Sequence, residues 1–177
     1  MNRKDKLGSL LLGALLAVLF STSAVAGAAE VSIEQVRKVP AATFTFKAPG
    51  ATERVEKDVY PPAGTAWLVA SVKVKADAKA SCQVSEIVVK TADGSSTSAV
   101  GISTEPANSF IKLESLPLGV GRGPSAWSVL RGSSGKVSLA LIETEAEFHL
   151  LFAVPEASKP STLELCSIGS AKLPAMK

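Results

Sequence analysis

No Cys-x-x-Cys pair, no Gly-x-Ser-x-Gly elbow and no Gly-x-x-x-x-Gly-Lys-Ser/Thr loop occurs in this chain of 177 residues. The first absence removes thioredoxin-type redox chemistry, the second the usual setting of an α/β-hydrolase nucleophile, and the third a P-loop nucleotide site. Histidine is scarcer still, since His149 is the single one. A metal centre would have to combine one imidazole with two distant cysteines and scattered carboxylates, none of them at ligand spacing. The two methionines, Met1 and Met176, sit at the ends and suggest no copper site. Alternating strand and helix patterns are missing as well, so no nucleotide cofactor is implied and no cofactor of any other class is called for. Blocks of like charge are absent. The formal charge of +3 is largely carried by Arg3, Lys4 and Lys6 against Asp5. The remainder is close to neutral, which argues against nucleic acid as a partner.

The start of the chain explains that local basicity. Arg3, Lys4 and Lys6 precede the apolar run "LGSLLLGALLAVLF" (Leu7 to Phe20), and "STSAVA" follows with small residues at Ala24 and Ala26. A positive head, an apolar middle and a small-residue exit form a secretory signal, and the apolar run is too short to span a bilayer. Cleavage is expected after Ala26, with Ala29 as a second site. No cysteine follows the run to take a lipid, and no later run is long enough to cross a membrane. The expectation is residues 1–26 as signal peptide and residues 27–177 as one domain, periplasmic or secreted from a bacterium. Its partner would be another exported protein or an envelope component.

Beyond the signal, period-2 patterning dominates. "ATFTFK" (Ala42 to Lys47) alternates Phe44 and Phe46 with Thr43 and Thr45, the signature of a half-buried strand. In "AWLVASVKVKA" (Ala66 to Ala76), Leu68, Ala70, Val72 and Val74 share one face. Trp67 and Val69 open the other face and Lys73 and Lys75 end it, so that face should be covered at its start and solvated at its end. "VSEIVVKTADGSSTSAVGIS" reads as two strands about an Asp93-Gly94 turn. "KVSLALIE" resumes strand character. "AEFHLLFAV" places Phe148, Leu150, Phe152 and Val154 on one face, and "STLELCSIG" closes with Leu163 and Leu165 inward. Between Thr104 and Trp127 the reading stays open between a short helical turn carrying Phe110, Leu113 and Leu116 and a long connection. The last residues, "KLPAMK", read as a frayed tail. Together these predict an all-β antiparallel sandwich of about seven to nine strands.

Three of these stretches, "GTAWLVASVKVKA", "VSEIVVKTADG" and "LLFAVPEASKPSTLEL", occur in an order that resembles the telokin-like, immunoglobulin-fold domains of unknown function in bacterial secreted proteins and lipoproteins. The resemblance spans about Val31 to Ile168. It departs at "KADAKASC", where that group carries an Asn-containing turn. What it implies is an immunoglobulin-like sandwich of two antiparallel sheets; it implies no activity and no functional residues.

Few side chains are candidates for chemistry. In an oxidising compartment Cys82 and Cys166 are expected to form a disulfide, and closing so long a loop stabilises by about 4 to 5 kcal/mol in the chain-entropy account. Strand phase places Cys166 with Thr162 and Glu164, opposite Leu163 and Leu165, which predicts a peripheral staple and no pin between sheets. His149 shares the polar phase of its strand with Glu147, and a Ser-His-acid hydrolase would have to use it as base; a structural histidine is the commoner outcome. "GVGRGP" (Gly119 to Pro124), with Arg122, and "RGSSGK" (Arg131 to Lys136) read as turns. "ETEAE" lines up Glu143, Glu145 and Glu147, a solvated face or, less in keeping with the pattern, a calcium site. Trp127, after a Gly/Pro-rich stretch, is with Arg122 the candidate binding surface. The function expected is that of an exported, non-enzymatic binding or structural module. A hydrolase using His149, or an inhibitor or adaptor of another envelope protein, is the alternative.

Overall fold

The computed structural model describes residues 29–46, 55–76, 80–104, 109–113, 119–122, 127–131 and 134–176. The expected signal segment, residues 1–26, lies outside them. Among the described residues the chain is all-β, with fourteen strands and the 3-10 turn Val84–Glu86. The strands are β1 (Glu30–Val39), β2 (Ala42–Phe46), β3 (Val55–Val59), β4 (Thr65–Lys75), β5 (Ser81–Gln83), β6 (Ile87–Thr91) and β7 (Ser96–Ser103). They continue as β8 (Ser109–Lys112), β9 (Gly119–Arg122), β10 (Trp127–Arg131), β11 (Val137–Leu141), β12 (Glu145–Pro155), β13 (Pro160–Leu165) and β14 (Gly169–Lys172).

Ten strands form one sheet in the order β1-β4-β12-β7-β6-β13-β14, with β8, β2 and β3 continuing from β7. The other four form a second sheet, β5-β11-β10-β9. All pairings are antiparallel except that of β2 with β8, which is parallel. The principal core lies between the two sheets. Leu68, Val72, Leu150, Phe152 and Leu163 of the large sheet are buried with Trp127, Val129 and Leu139 of the small one. Trp127 meets Phe148 edge to face, ring centroids 6.3 Å apart.

β4 and β12 form the spine. They pair over their whole length, Glu145 opposite Lys75 through Pro155 opposite Thr65. Alternation sends Leu68, Ala70, Val72 and Val74, with Phe148, Leu150, Phe152 and Val154, into the principal core. The opposite face of β4 is buried at Trp67 and Val69 and open at Lys75, as its sequence predicts. What covers its start is the β2–β3–β8 unit, which folds back over the sheet. Phe44 and Phe110 from this unit pack on Trp67, Val69 and Leu151 in a second, smaller core. Gly101 of β7 permits this approach. A Cβ there would lie 3.2 Å from Phe110 Cβ and 3.3 Å from the Phe44 ring.

The turn at Asp93-Gly94 also forms as the sequence predicts. Gly94 takes φ 86°, and Thr91 and Ser95 exchange a backbone bond across the hairpin, Thr91 N–H donating to Ser95 O at 2.9 Å. Bonds from the Thr91 hydroxyl and from Ser95 hold the Asp93 carboxyl down at about 2.

Several expectations are corrected. The strand number exceeds seven to nine because short or charged stretches also pair: "VEKDV" is β3, "SCQ" is β5 and "GSAK" is β14. "GVGR", read as a turn, is β9, whose backbone pairs with β10 from Gly119 opposite Arg131 to Arg122 opposite Ser128. Part of the open stretch is strand as well. Phe110 lies in β8 and is buried with Leu113, while Leu116 is outside the described residues. The tail is docked rather than frayed: Leu173 N–H donates to Ser161 O at 2.9 Å, and Leu173 and Met176 pack on the principal core.

The last correction concerns the disulfide. Cys82 and Cys166 are bonded, with Cα atoms 5.7 Å apart. Cys82 belongs to β5 of the small sheet, whereas Cys166 follows β13 of the large one. The bond therefore joins the two sheets at the edge of the core, with Cys82 only 4% exposed. Strand phase misplaced Cys166 because β13 ends at Leu165 and Cys166 turns out of the strand at φ 48°. Side-chain alternation stops where the extended backbone stops.

Candidate functional site

Trp127, the expected surface anchor, is 1% exposed and is a core residue. Its position in β10 opposite Leu141 aims it at the large sheet, and its indole N–H is buried with no acceptor among the described residues. Arg122 ends β9, and its side chain lies outside what the structure describes. These two residues do not form a described surface.

The structure instead assembles two polar regions. The first is a set of transverse rows on the outer face of the large sheet. Val69, Leu151 and Gly101 lie in register across β4, β12 and β7 under the aromatic cover. One step further, Ser71, His149 and Ser103 are in register across the same strands. Ser71 and Ser103 are buried, at 7% and 5% exposure. Ser71 Oγ and His149 Nδ1 are 2.8 Å apart and share a hydrogen bond. Beyond them Lys73 faces Glu147, and its ammonium contacts Glu145 at 2.6 Å and Glu147 at 3.0 Å.

Electrostatics follow from that layering. Burial pushes the His149 pKa down, the Arg37 charge pushes the same way, and Glu34 and Glu147 oppose both. The imidazole is thus held in its neutral form. The two carboxylates raise the Lys73 pKa through hydrogen bonds and charge, and Lys73 lowers that of Glu145. The "ETEAE" segment therefore relieves its repulsion through an ammonium. Glu143 stands apart in the exposed bend before β12. No group of three or more metal-ligating side chains occurs among the described residues.

A serine hydroxyl bonded to a neutral imidazole is the relation of a nucleophile to its base. Here it sits in the middle of a sheet. Ser71 is at mid-strand, flanked by β1 and β12, so its backbone N–H belongs to a strand ladder and not to an oxyanion-binding turn. The arrangement explains how a histidine is accommodated at the border between an apolar and a charged row.

The second region is the free side of β3. Among the described strands β3 is hydrogen-bonded only to β2. Val55, Glu56, Lys57 and Asp58 are all exposed. The two exposed large hydrophobic residues in the described chain flank this edge, Val55 at 61% and Tyr60 at 74%. The strand is nevertheless well anchored. Thr43 Oγ1 donates to Asp58 Oδ1 at 2.6 Å, Ser109 Oγ donates to Glu56 Oε1 at 3.4 Å, and Trp67 Nε1 donates to Val59 O at 2.9 Å. Sequence reasoning passed over this strand because "VEKDV" has no apolar alternation. The available signal was the lone tyrosine before Pro61-Pro62, a polar-tipped ring ahead of a stiff turn.

No known protein family, no curated protein and no solved structure matches this chain.

Proposed function

We propose that this protein is an exported, non-enzymatic binding module with an immunoglobulin-like sandwich fold, acting in the periplasm or outside the cell. Its contact surface is the β3 edge with Tyr60, and its partner is another exported protein or envelope component. The observation that carries this reading is that the two exposed large hydrophobic residues among those described, Val55 and Tyr60, flank one anchored edge strand. A rigid aromatic on a fixed scaffold is the usual anchor of a protein contact. Support for export comes from the signal-like start and from a disulfide, a bond that persists in oxidising compartments. Two sheets around one core, joined by that bond, support the sandwich reading. In cells expressing the secreted protein, a photo-crosslinking residue at position 60 should yield a discrete adduct with an exported protein, and Tyr60→Ser should weaken co-purification of that same protein. Equal recovery with Tyr60→Ser would remove the β3 edge from the reading.

A second reading, an extracytoplasmic hydrolase, is favoured by the Ser71–His149 hydrogen bond alone. Its test is an esterase and amidase screen of wild type against His149→Ala. Activity that vanishes in the variant, with folding retained, would replace the binding-module proposal.

A further inference from the structure

The charge pattern of β3 says more than that the edge is free. Side chains alternate across the strand, so Glu56 and Asp58 share the outer face with Thr43 and Thr45, while Lys57 lies on the opposite side with Phe44. Hydrogen bonds from Thr43 and Ser109 hold the two carboxylates in place. An added antiparallel strand would meet, in order, an acidic, a basic and an acidic position, with Val55 and Val59 at the two ends and Tyr60 just beyond.

Residues directly opposite in an antiparallel pair share a face, and like charges there repel. A second copy of this chain meets that repulsion in every two-fold register centred on a charged position of β3. A two-fold pairing centred on Lys57 sets Lys57 against Lys57 and Glu56 against Asp58. Centring on Glu56 or on Asp58 sets that carboxylate against its own copy. Self-pairing in those registers is disfavoured, as at exposed edges generally, while all three charged positions suit a strand of the opposite pattern.

We infer that β3 accepts, by strand addition, an extended segment of another protein whose consecutive residues are basic, acidic and basic, flanked by apolar residues that meet Val55 and Val59, next to Tyr60. The partner's cations face Glu56 and Asp58 and its carboxylate faces Lys57. Main-chain hydrogen bonds to the free side of β3 supply the register-independent part of the binding, and the three charge pairs choose the sequence. This inference rests on the binding-module reading and specifies its partner.

The test uses the secreted protein and two capped heptapeptides, TVKEKVT and the charge-reversed TVEKEVT, titrated at low salt while backbone amide signals are followed by NMR. TVKEKVT should shift the amides of Val55–Val59 and bind about tenfold more tightly than TVEKEVT, with the preference shrinking as salt rises. The double variant Glu56→Lys with Lys57→Glu, checked for folding by its amide spectrum, should lose that preference. Equal affinity for the two peptides, binding of neither, or shifts confined to other strands would overturn the inference. The broader reading fails separately: it falls if crosslinking at Tyr60 captures no exported protein, whatever the peptides do.

Discussion

At the scale of single residues, His149 is the position where sequence and structure most inform each other. Read along β12 it shares a phase with Glu147. Folded, it bonds Ser71 and stands in line with buried Ser103. Its pKa is depressed first by burial and then by Arg37. The unfolded chain takes up a proton near the ordinary imidazole value of about 6.5, while the folded chain resists until lower pH. The stability that neutral His149 contributes is therefore complete above that value and is lost as pH falls below it. His149→Asn keeps a side chain able to bond Ser71 and removes the titration. Urea unfolding of both proteins should show wild type losing more stability than the variant between pH 7.5 and pH 5. Parallel losses in the two would show that the imidazole is not desolvated in the fold. Asp93 acts at lower pH. Its carboxyl is held at about 2, so the stability that its charged form lends the turn is complete above the ordinary carboxylate value and is lost as pH falls from there towards about 2.

At the scale of elements, the β2–β3–β8 unit decides how much of the large sheet is dry. It carries Phe44 and Phe110 onto Trp67 and Leu151, with Phe44 and Trp67 edge to face at 6.2 Å. Phe110→Ala removes a fully buried ring and should cost about 3 to 5 kcal/mol, read as a lower urea midpoint, together with a rise in the fluorescence accessibility of Trp67. A loss below 1 kcal/mol would mean that the second core is not packed as described. The elements differ in how legible they are from sequence. β4 and β12 announce themselves because one apolar face alternates without a break. β1 does not, since its register with β4 shifts between Ile33 and Gln35 and the bulge scrambles its alternation. β3 hides because an exposed edge strand has no reason to be apolar, and β9 hides because its residues are glycine-rich. The β3 edge was accordingly missed. Trp127 was misread because a Gly/Pro-rich approach says where a turn is but not which way the next strand faces.

At the scale of the molecule, two sheets are joined by a disulfide, a bond compatible with an oxidising compartment. The bond from Cys82 in β5 to Cys166 after β13 ties the sheets together. It closes most of the second half of the domain into one loop, so its effect falls mainly on the unfolded chain. Cys82→Ser combined with Cys166→Ser should lower stability by about 2 to 5 kcal/mol, and unfolding of the wild type under reducing conditions should move the same way. The most direct measurement is the intact mass of the secreted protein under non-reducing conditions after thiol alkylation. The account predicts a chain beginning after Ala26 or Ala29, lighter than its sequence by two hydrogens and carrying no alkyl group. A protein retaining residues 1–26, or one with two alkylated thiols, would contradict it.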